Sequence, residues 1–191
     1  MNPPQVLRNF YASTIDRSNF REATTRVVIF LLPVLFWGKE KNFHALYIVT
    51  VGVLVRAWAA GHLNKDQFMA KSGPYLLVRH PLYLGSCLLT LGLIVVLKHW
   101  AVALGLGLLT FITYFHGIQH EEENLKKHFG REYVEYAKKA GPLWPKLSGI
   151  KTFFSFRSRK HFSCQRYIKN KEWECLLGVI AVFFILWLGS P

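Results

Sequence analysis

The chain has 191 residues, 51% of them hydrophobic, and a formal net charge of +13. That length suits one domain and is short for two. The apolar residues gather in long runs with the charges in the gaps between them, which argues against a soluble core and for a membrane protein. No zinc-finger, helix-turn-helix or RNA-binding motif accompanies the basic excess, so the partner it points to is an anionic lipid surface and not nucleic acid.

Met1 to Glu22 is polar and reads as a cytoplasmic segment with an interfacial helix; its start is too polar for a secretory signal peptide. Five apolar segments follow, predicting an all-α, polytopic bundle of about five transmembrane helices with a cytoplasmic helical insert. The first, Ala23 to Gly38, is interrupted by Pro33 and is short against the roughly 20 residues a straight span needs. The second runs from Phe43 to about Gly61. Lys39-Glu40-Lys41 separates these two as a tight hairpin. A loop from His62 to His80 precedes the third segment, Pro81 to about Leu97. Lys98-His99 then turns the chain into the fourth, Trp100 to Gly117. An insert from Gln119 to Trp173 separates this from the fifth, Glu174 to Gly189.

Within the insert, Leu125, Phe129, Tyr133 and Tyr136 recur at helical spacing, predicting a helix over Glu121 to Ala140 that Gly141-Pro142 stops. Ile150 to Lys171 is aromatic and basic, the composition of a segment lying on anionic lipid. The organisation is then 1–22 interfacial, 23–149 membrane core, 150–172 basic and interfacial, 173–191 a C-terminal span. Arg8, Arg17, Arg21, Arg26, Lys65, Lys71, Arg79 and the Lys126–Lys171 set fall on one side, and Lys39, Lys41 and Lys98 on the other. This bias puts the N-terminus and most polar chemistry in the cytoplasm. The three cysteines (Cys87, Cys164, Cys175) form no CxxC pair, so neither a disulfide framework nor a zinc site is expected. The Gly189-Ser190-Pro191 end carries no prenylation box.

The stretch richest in chemistry is Gly73 to Gly85, GPYLLVRHPLYLG. Pro81 suits a first helical position, where its missing N–H goes unneeded, so the helix start presents free N–H groups beside the permanent charge and fork of Arg79. That is an anion site in outline; the plainer reading of Arg79 alone is a positive-inside anchor, and of His80 alone a structural hydrogen-bonder. Glu121-Glu122-Glu123 stands on a face otherwise basic. Its carboxylates can take hydroxyls or an ammonium group, or simply pair with Lys126 and Lys127 at i+4. His116 and His120 share a helix face at a metal-binding spacing, but with no HExxH order and no third ligand, so no metal is expected. Arg56, in RAWAAG late in the second run, either snorkels or meets a site carboxylate such as Glu121 or Glu122. Tyr75, Tyr83 and Trp144 fit either stacking on a ligand ring or sulfonium, or an interfacial aromatic belt.

GPYLLVRHPLYLG, EEENL at Glu121–Leu125, FGREYVEY at Phe129–Tyr136 and LWP at Leu143–Pro145, preceded by RAWAAG, together resemble the isoprenylcysteine carboxyl methyltransferase and phospholipid methyltransferase superfamily. The resemblance covers roughly Arg56 to Lys146. It implies S-adenosylmethionine as cofactor on the cytosolic face and a lipophilic or prenylated acceptor reaching it from the bilayer. It implies Tyr75, Arg79, His80, Tyr83, Glu121 and Glu122 as cofactor-binding residues, with Arg79 and Glu122 carrying catalysis. Where relatives often have Arg before the final hydrophobic-hydrophobic-Pro, this chain has Pro142. Two other readings share parts of the pattern: an NADPH-dependent sterol-reductase-like enzyme, and a non-catalytic lipid-binding protein.

Overall fold

The computed structural model describes residues 35–63, 69–154 and 162–191. The expected Met1–Glu22 segment and residues 23–34 of the first apolar segment lie outside them. All named elements among the described residues are helical. A 3₁₀ turn, Phe43–Ala45, leads into α1 (Leu46–His62); a second, Gly73–Leu76, precedes α2 (Pro81–Leu97). α3 (Trp100–Lys139) is followed by α4 (Leu147–Phe154), α5 (Cys164–Lys169) and α6 (Glu172–Leu188).

Two helices, Phe43–His62 and Trp100–Lys139, are long and apolar enough to cross a bilayer, and Pro81–Leu97 is a shorter apolar helix. Only 28% and 11% of the most apolar stretches of the two long helices are buried, so neither is the hidden core helix of a soluble protein. Leu54, Phe111 and Ile180 project outward at 54–66% exposure, a surface that suits lipid and not water.

The helices run antiparallel. The Asn42 amide donates to Val96 O at 2.8 Å, joining the start of α1 to the end of α2, and the Gly38 amide donates to Gly189 O at 2.7 Å, bringing the end of α6 to the same side. Between α1 and α2 the backbones touch: a Cβ built on Gly52 would lie 2.9 Å from Gly85 O, and one on Gly85 2.8 Å from Gly52 O. Small residues at such a crossing replace the hydrophobic drive that lipid removes. Ala45, Leu93, Val96, Leu106, Val182 and Leu186 form the core where α1, α2, α3 and α6 meet.

α3 departs from the expectation of a span followed by a separate helix from Glu121. Nothing breaks the helix at the membrane exit, because Gln119 to Leu125 are sound helix formers, and it continues to Gly130, where φ 48° and ψ −121° fold the chain back. At about 1.5 Å per residue the arm from Trp100 to Phe129 is roughly 45 Å long, more than the roughly 30 Å of an apolar bilayer core. The return arm, Arg131–Lys139, runs back to the start of α2: the Tyr136 hydroxyl donates to Tyr75 O at 2.7 Å, and Lys71 pairs with Glu132 at 2.5 Å.

The basic segment after Ile150, where it is described, packs on protein. Phe153 meets Trp58 edge-on at 5.8 Å. The Ser163 amide donates to Gly61 O at 3.1 Å. Asn170 Nδ2 donates to Ala60 O and Leu63 O at 2.9 and 3.1 Å, satisfying carbonyls at the C-terminus of α1.

Candidate active site

The Arg79–His80 segment is held by backbone. Val78 pairs with Gly141 as an isolated parallel bridge; the Arg79 amide donates to Gly141 O at 2.7 Å and the His80 amide to Pro142 O at 3.1 Å. His80 then caps α2 and Pro81 takes its first turn. The loop that closes the return arm is thus zipped to the strand-like approach of α2. Pro142, the departure from the family pattern, contributes its carbonyl here, which any residue supplies.

Four charged side chains converge at this point. Arg79 Nη2 lies 2.6 Å from Glu122 Oε1. His80, 3% exposed, sets Nε2 3.2 Å from Glu122 Oε1 and Nδ1 3.5 Å from Glu121 Oε2. Burial alone would lower the His80 pKa, but the hydrogen bonds and charges of Glu121 and Glu122 outweigh it and raise it. A carboxylate at each ring nitrogen favours the protonated ring. The hydrogen bond from His80 and the charge of Arg79 overcome burial at Glu122 and hold its pKa below the usual carboxylate value. Arg79 Nη1 also donates to Ala137 O at 3.2 Å, so both arms of α3 grip this side chain.

Among the described residues Arg79 Nε is buried without a hydrogen-bond partner, and the Tyr133 hydroxyl is buried beside Glu122. Burial and the Glu122 charge push the Tyr133 hydroxyl up to about 12. In front of the cluster, between the two arms of α3, lies an open cavity of about 660 Å³ lined by Gln119, Glu122, Glu123, Lys126, Tyr133 and Lys146 among others. Its volume is within the range of roughly 300–1,000 Å³ typical for small-molecule sites.

The structure therefore brings Arg79, His80, Glu121 and Glu122 together, with Glu122 facing the cavity and Arg79 and His80 behind it. Tyr83 stacks edge-on with His80 at 5.8 Å and with Tyr114 at 5.2 Å, and Tyr75 is buried under the return arm; neither lines the cavity. Trp144 is 78% exposed and stacks on no ring among the described contacts. Arg56 does not meet Glu121 or Glu122. Its fork takes Glu172 of α6 at 2.7 and 3.0 Å, while Nη1 contacts Ser86 Oγ and Leu82 O. A partner 116 residues away leaves no trace in local spacing. Tyr133 was legible only as part of a helical stripe; its burial beside an acid marks it as a site residue. Among the described residues no group of three His, Cys, Asp or Glu stands close enough to hold a metal ion, and Cys87, Cys164 and Cys175 form no disulfide.

The phospholipid methyltransferase family model matches residues 41–132, the stretch that supplies α1, α2, the long arm of α3 and the whole charged cluster. The cobalt-zinc-cadmium resistance protein CzcN of Cupriavidus metallidurans is 31% identical over 175 residues, covering 84% of this chain and 79% of that protein. The chain belongs to the isoprenylcysteine carboxyl methyltransferase and phospholipid methyltransferase superfamily. Within it, protein-S-isoprenylcysteine O-methyltransferase B of Arabidopsis thaliana is 34% identical over 71 residues (37% of this chain, 36% of that one). Protein-S-isoprenylcysteine O-methyltransferase of Xenopus laevis is 28% identical over 142 residues (74% and 48%). The chain thus spans half or less of the length of these two methyltransferases. No solved structure matches it.

Proposed function

We propose that the protein is an S-adenosylmethionine-dependent methyltransferase acting on a lipophilic, membrane-embedded acceptor. The observation that carries this reading is the cluster of Arg79, His80 and Glu122 set behind a cavity of about 660 Å³ where the apolar helices end. In this reading the chain is a multi-pass membrane protein of about five spans whose site end faces the cytoplasm, as the Lys and Arg bias requires.

The residues present suit this cofactor. Glu122 and Glu123 offer carboxylates to its ammonium group and ribose hydroxyls, and Tyr133, Lys126 and Lys146, lining the same cavity, offer donors to its carboxylate. When bound, the cofactor supplies an electrophilic methyl group on a sulfonium centre that leaves as a neutral thioether. The chain's part is orientation. Arg79 and His80 keep Glu122 ionised and fixed in direction, and Glu121 keeps His80 protonated. Neither His80, with both ring nitrogens engaged, nor Glu122, ion-paired on two sides, is free to act as a base. The site therefore favours an acceptor that arrives as an anion, such as the carboxylate of a prenylated cysteine. An amine head group would have to give its proton to Glu123, the cavity-lining acid outside the cluster.

Calorimetry on the purified protein tests the assignment. S-adenosylmethionine should bind the wild type, and binding should weaken at least tenfold in Arg79→Ala and Glu122→Ala. Unchanged binding in both variants would discard these roles, and binding of NADPH in place of S-adenosylmethionine would favour the reductase reading.

A further inference from the structure

We infer that the segment from Gly141 to Gly149, the loop after α3 with the first turn of α4, is an interfacial anchor: Trp144 and Leu147 enter the headgroup layer of an anionic bilayer, with Lys146 and Lys151 at its lipid phosphates, and this contact sets the depth of the Arg79–His80 segment. The inference rests on the bilayer placement of the apolar helices, and not on methyl transfer.

The first argument is height. The return arm of α3 brings the chain back to the level at which α2 begins. Gly141 O and Pro142 O accept from the Arg79 and His80 amides at 2.7 and 3.1 Å, one and two residues before Pro81 opens the apolar helix. A loop bonded to that point sits at the boundary between apolar core and headgroups, however far Gly130 projects beyond it.

The second argument is exposure. Trp144 and Leu147 are 78% and 79% exposed, two large apolar side chains three residues apart, one on the loop and one at the start of α4. They are not loose ends. Gly141 and Gly149 on either side are buried, the Ser148 hydroxyl donates to Lys139 O at 2.9 Å, and Gly149 packs against Leu76 O with no room for a Cβ. A backbone held at both ends that still presents Trp and Leu outward exposes them by construction. In water that arrangement costs free energy; in the interfacial layer, where Trp is favoured, it is stabilising.

The third argument is charge. Lys138, Lys139, Lys146 and Lys151 are all exposed around the loop. Lys146 Nζ donates to Ala137 O at 3.1 Å, which holds its charge at the end of the return arm. Lys138 pairs with Glu135 at 2.8 Å, and Glu122 and Glu123 lie across the cavity from Lys146. The remaining excess is positive, complementary to anionic lipid. Lys146 also lines the cavity, so the anchored loop forms one wall of the site. Pulling it from the surface would pull on the bonds that place Arg79 and His80.

The test uses the full chain in vesicles of zwitterionic lipid with or without phosphatidylserine. A polarity-sensitive fluorophore is placed by Trp144→Cys, with Cys87, Cys164 and Cys175 replaced, and is quenched either by lipid-borne nitroxide near the headgroup or by aqueous iodide. Nitroxide should quench position 144 several-fold more than iodide, and more with phosphatidylserine present. Leu104→Cys, on the lipid-facing side of α3, should be quenched by nitroxide in both lipids. Iodide quenching at 144 while position 104 behaves as expected overturns the anchor alone; nitroxide failing at 104 overturns the bilayer placement and the anchor with it. Hydrogen exchange on the unmodified protein reads the same question where the cysteine variants fail to fold. The amides of 141–149 should exchange several-fold more slowly in phosphatidylserine vesicles, and equal rates in both lipids contradict the anchor.

Discussion

Replacing Glu122 by Gln keeps the size of the side chain and removes the charge that Arg79 and His80 share. Arg79 and His80 side chains are 13% and 1% exposed, and Glu122 is 29% exposed. Removing one partner of a fully buried pair costs about 3–5 kcal/mol, and of an exposed pair about 0–1 kcal/mol. With the cations buried and the acid partly solvated, about 2 kcal/mol is expected. For a domain of this size that is a fall of roughly 4–8 °C in apparent Tm. The pH dependence carries a sign. The His80 pKa is raised on folding, so its contribution is fully present below its ordinary value near 6.5 and is lost as pH rises through the folded value. The Glu122 pKa is lowered, so its contribution is present above its ordinary value of 4.5 and is lost as pH falls through the folded value. Wild-type stability should therefore decline on both sides of a window between these limits. Glu122→Gln should flatten the window and lower it. The assay is apparent Tm in detergent across pH, read by intrinsic fluorescence. An unchanged Tm and an unchanged pH profile would refute the claim that the cluster is an ionised, mutually supporting set.

Arg56→Gln should cost about 3 kcal/mol, because both side chains of the Arg56–Glu172 pair are at least 80% buried; the exchange Arg56→Glu with Glu172→Arg should recover part of the lost apparent Tm. Gly130→Ala places a Cβ at φ 48° and ψ −121°, a conformation that costs a non-glycine residue about 1–3 kcal/mol. Because nothing lies near that Cβ, the loss in thermal stability should appear without a packing defect. Tyr133→Phe removes a buried hydroxyl that faces Glu122. It should lower Tm by no more than about 4 °C, since at most one contact to Glu122 is lost, while S-adenosylhomocysteine affinity by calorimetry falls about five- to tenfold. Equal affinity would remove Tyr133 from the site.

Elements governed by local chemistry were legible in the sequence. Pro81 after Arg79-His80 marks the start of α2, the Lys98-His99 break marks the turn into α3, and the order of RHP, EEE and the aromatic stripe anticipates that Arg79, His80, Glu121 and Glu122 meet. Elements governed by long-range pairing were not. A glycine inside a strong helical pattern does not announce a reversal, so Gly130 passed as one residue of a continuous helix. Arg56 carries the correct signal, a charge that needs a partner, but local spacing points to Glu121 or Glu122, and only the start of α6 beside the end of α1 supplies Glu172. Trp144 was assigned by residue type to a ring or a belt, and the choice depends on the backbone bonds that hold its loop open.

The most direct measurement of the central claim is transfer of a labelled methyl group from S-adenosylmethionine into a lipid extract by the purified protein in vesicles, with the product identified by mass spectrometry. The account predicts a labelled lipophilic product with wild type, and a loss of at least a hundredfold in both Arg79→Ala and Glu122→Ala. Label transfer that survives in both variants, or that is absent with folded wild-type protein across prenylated, phospholipid and isoprenoid acceptors, would contradict it.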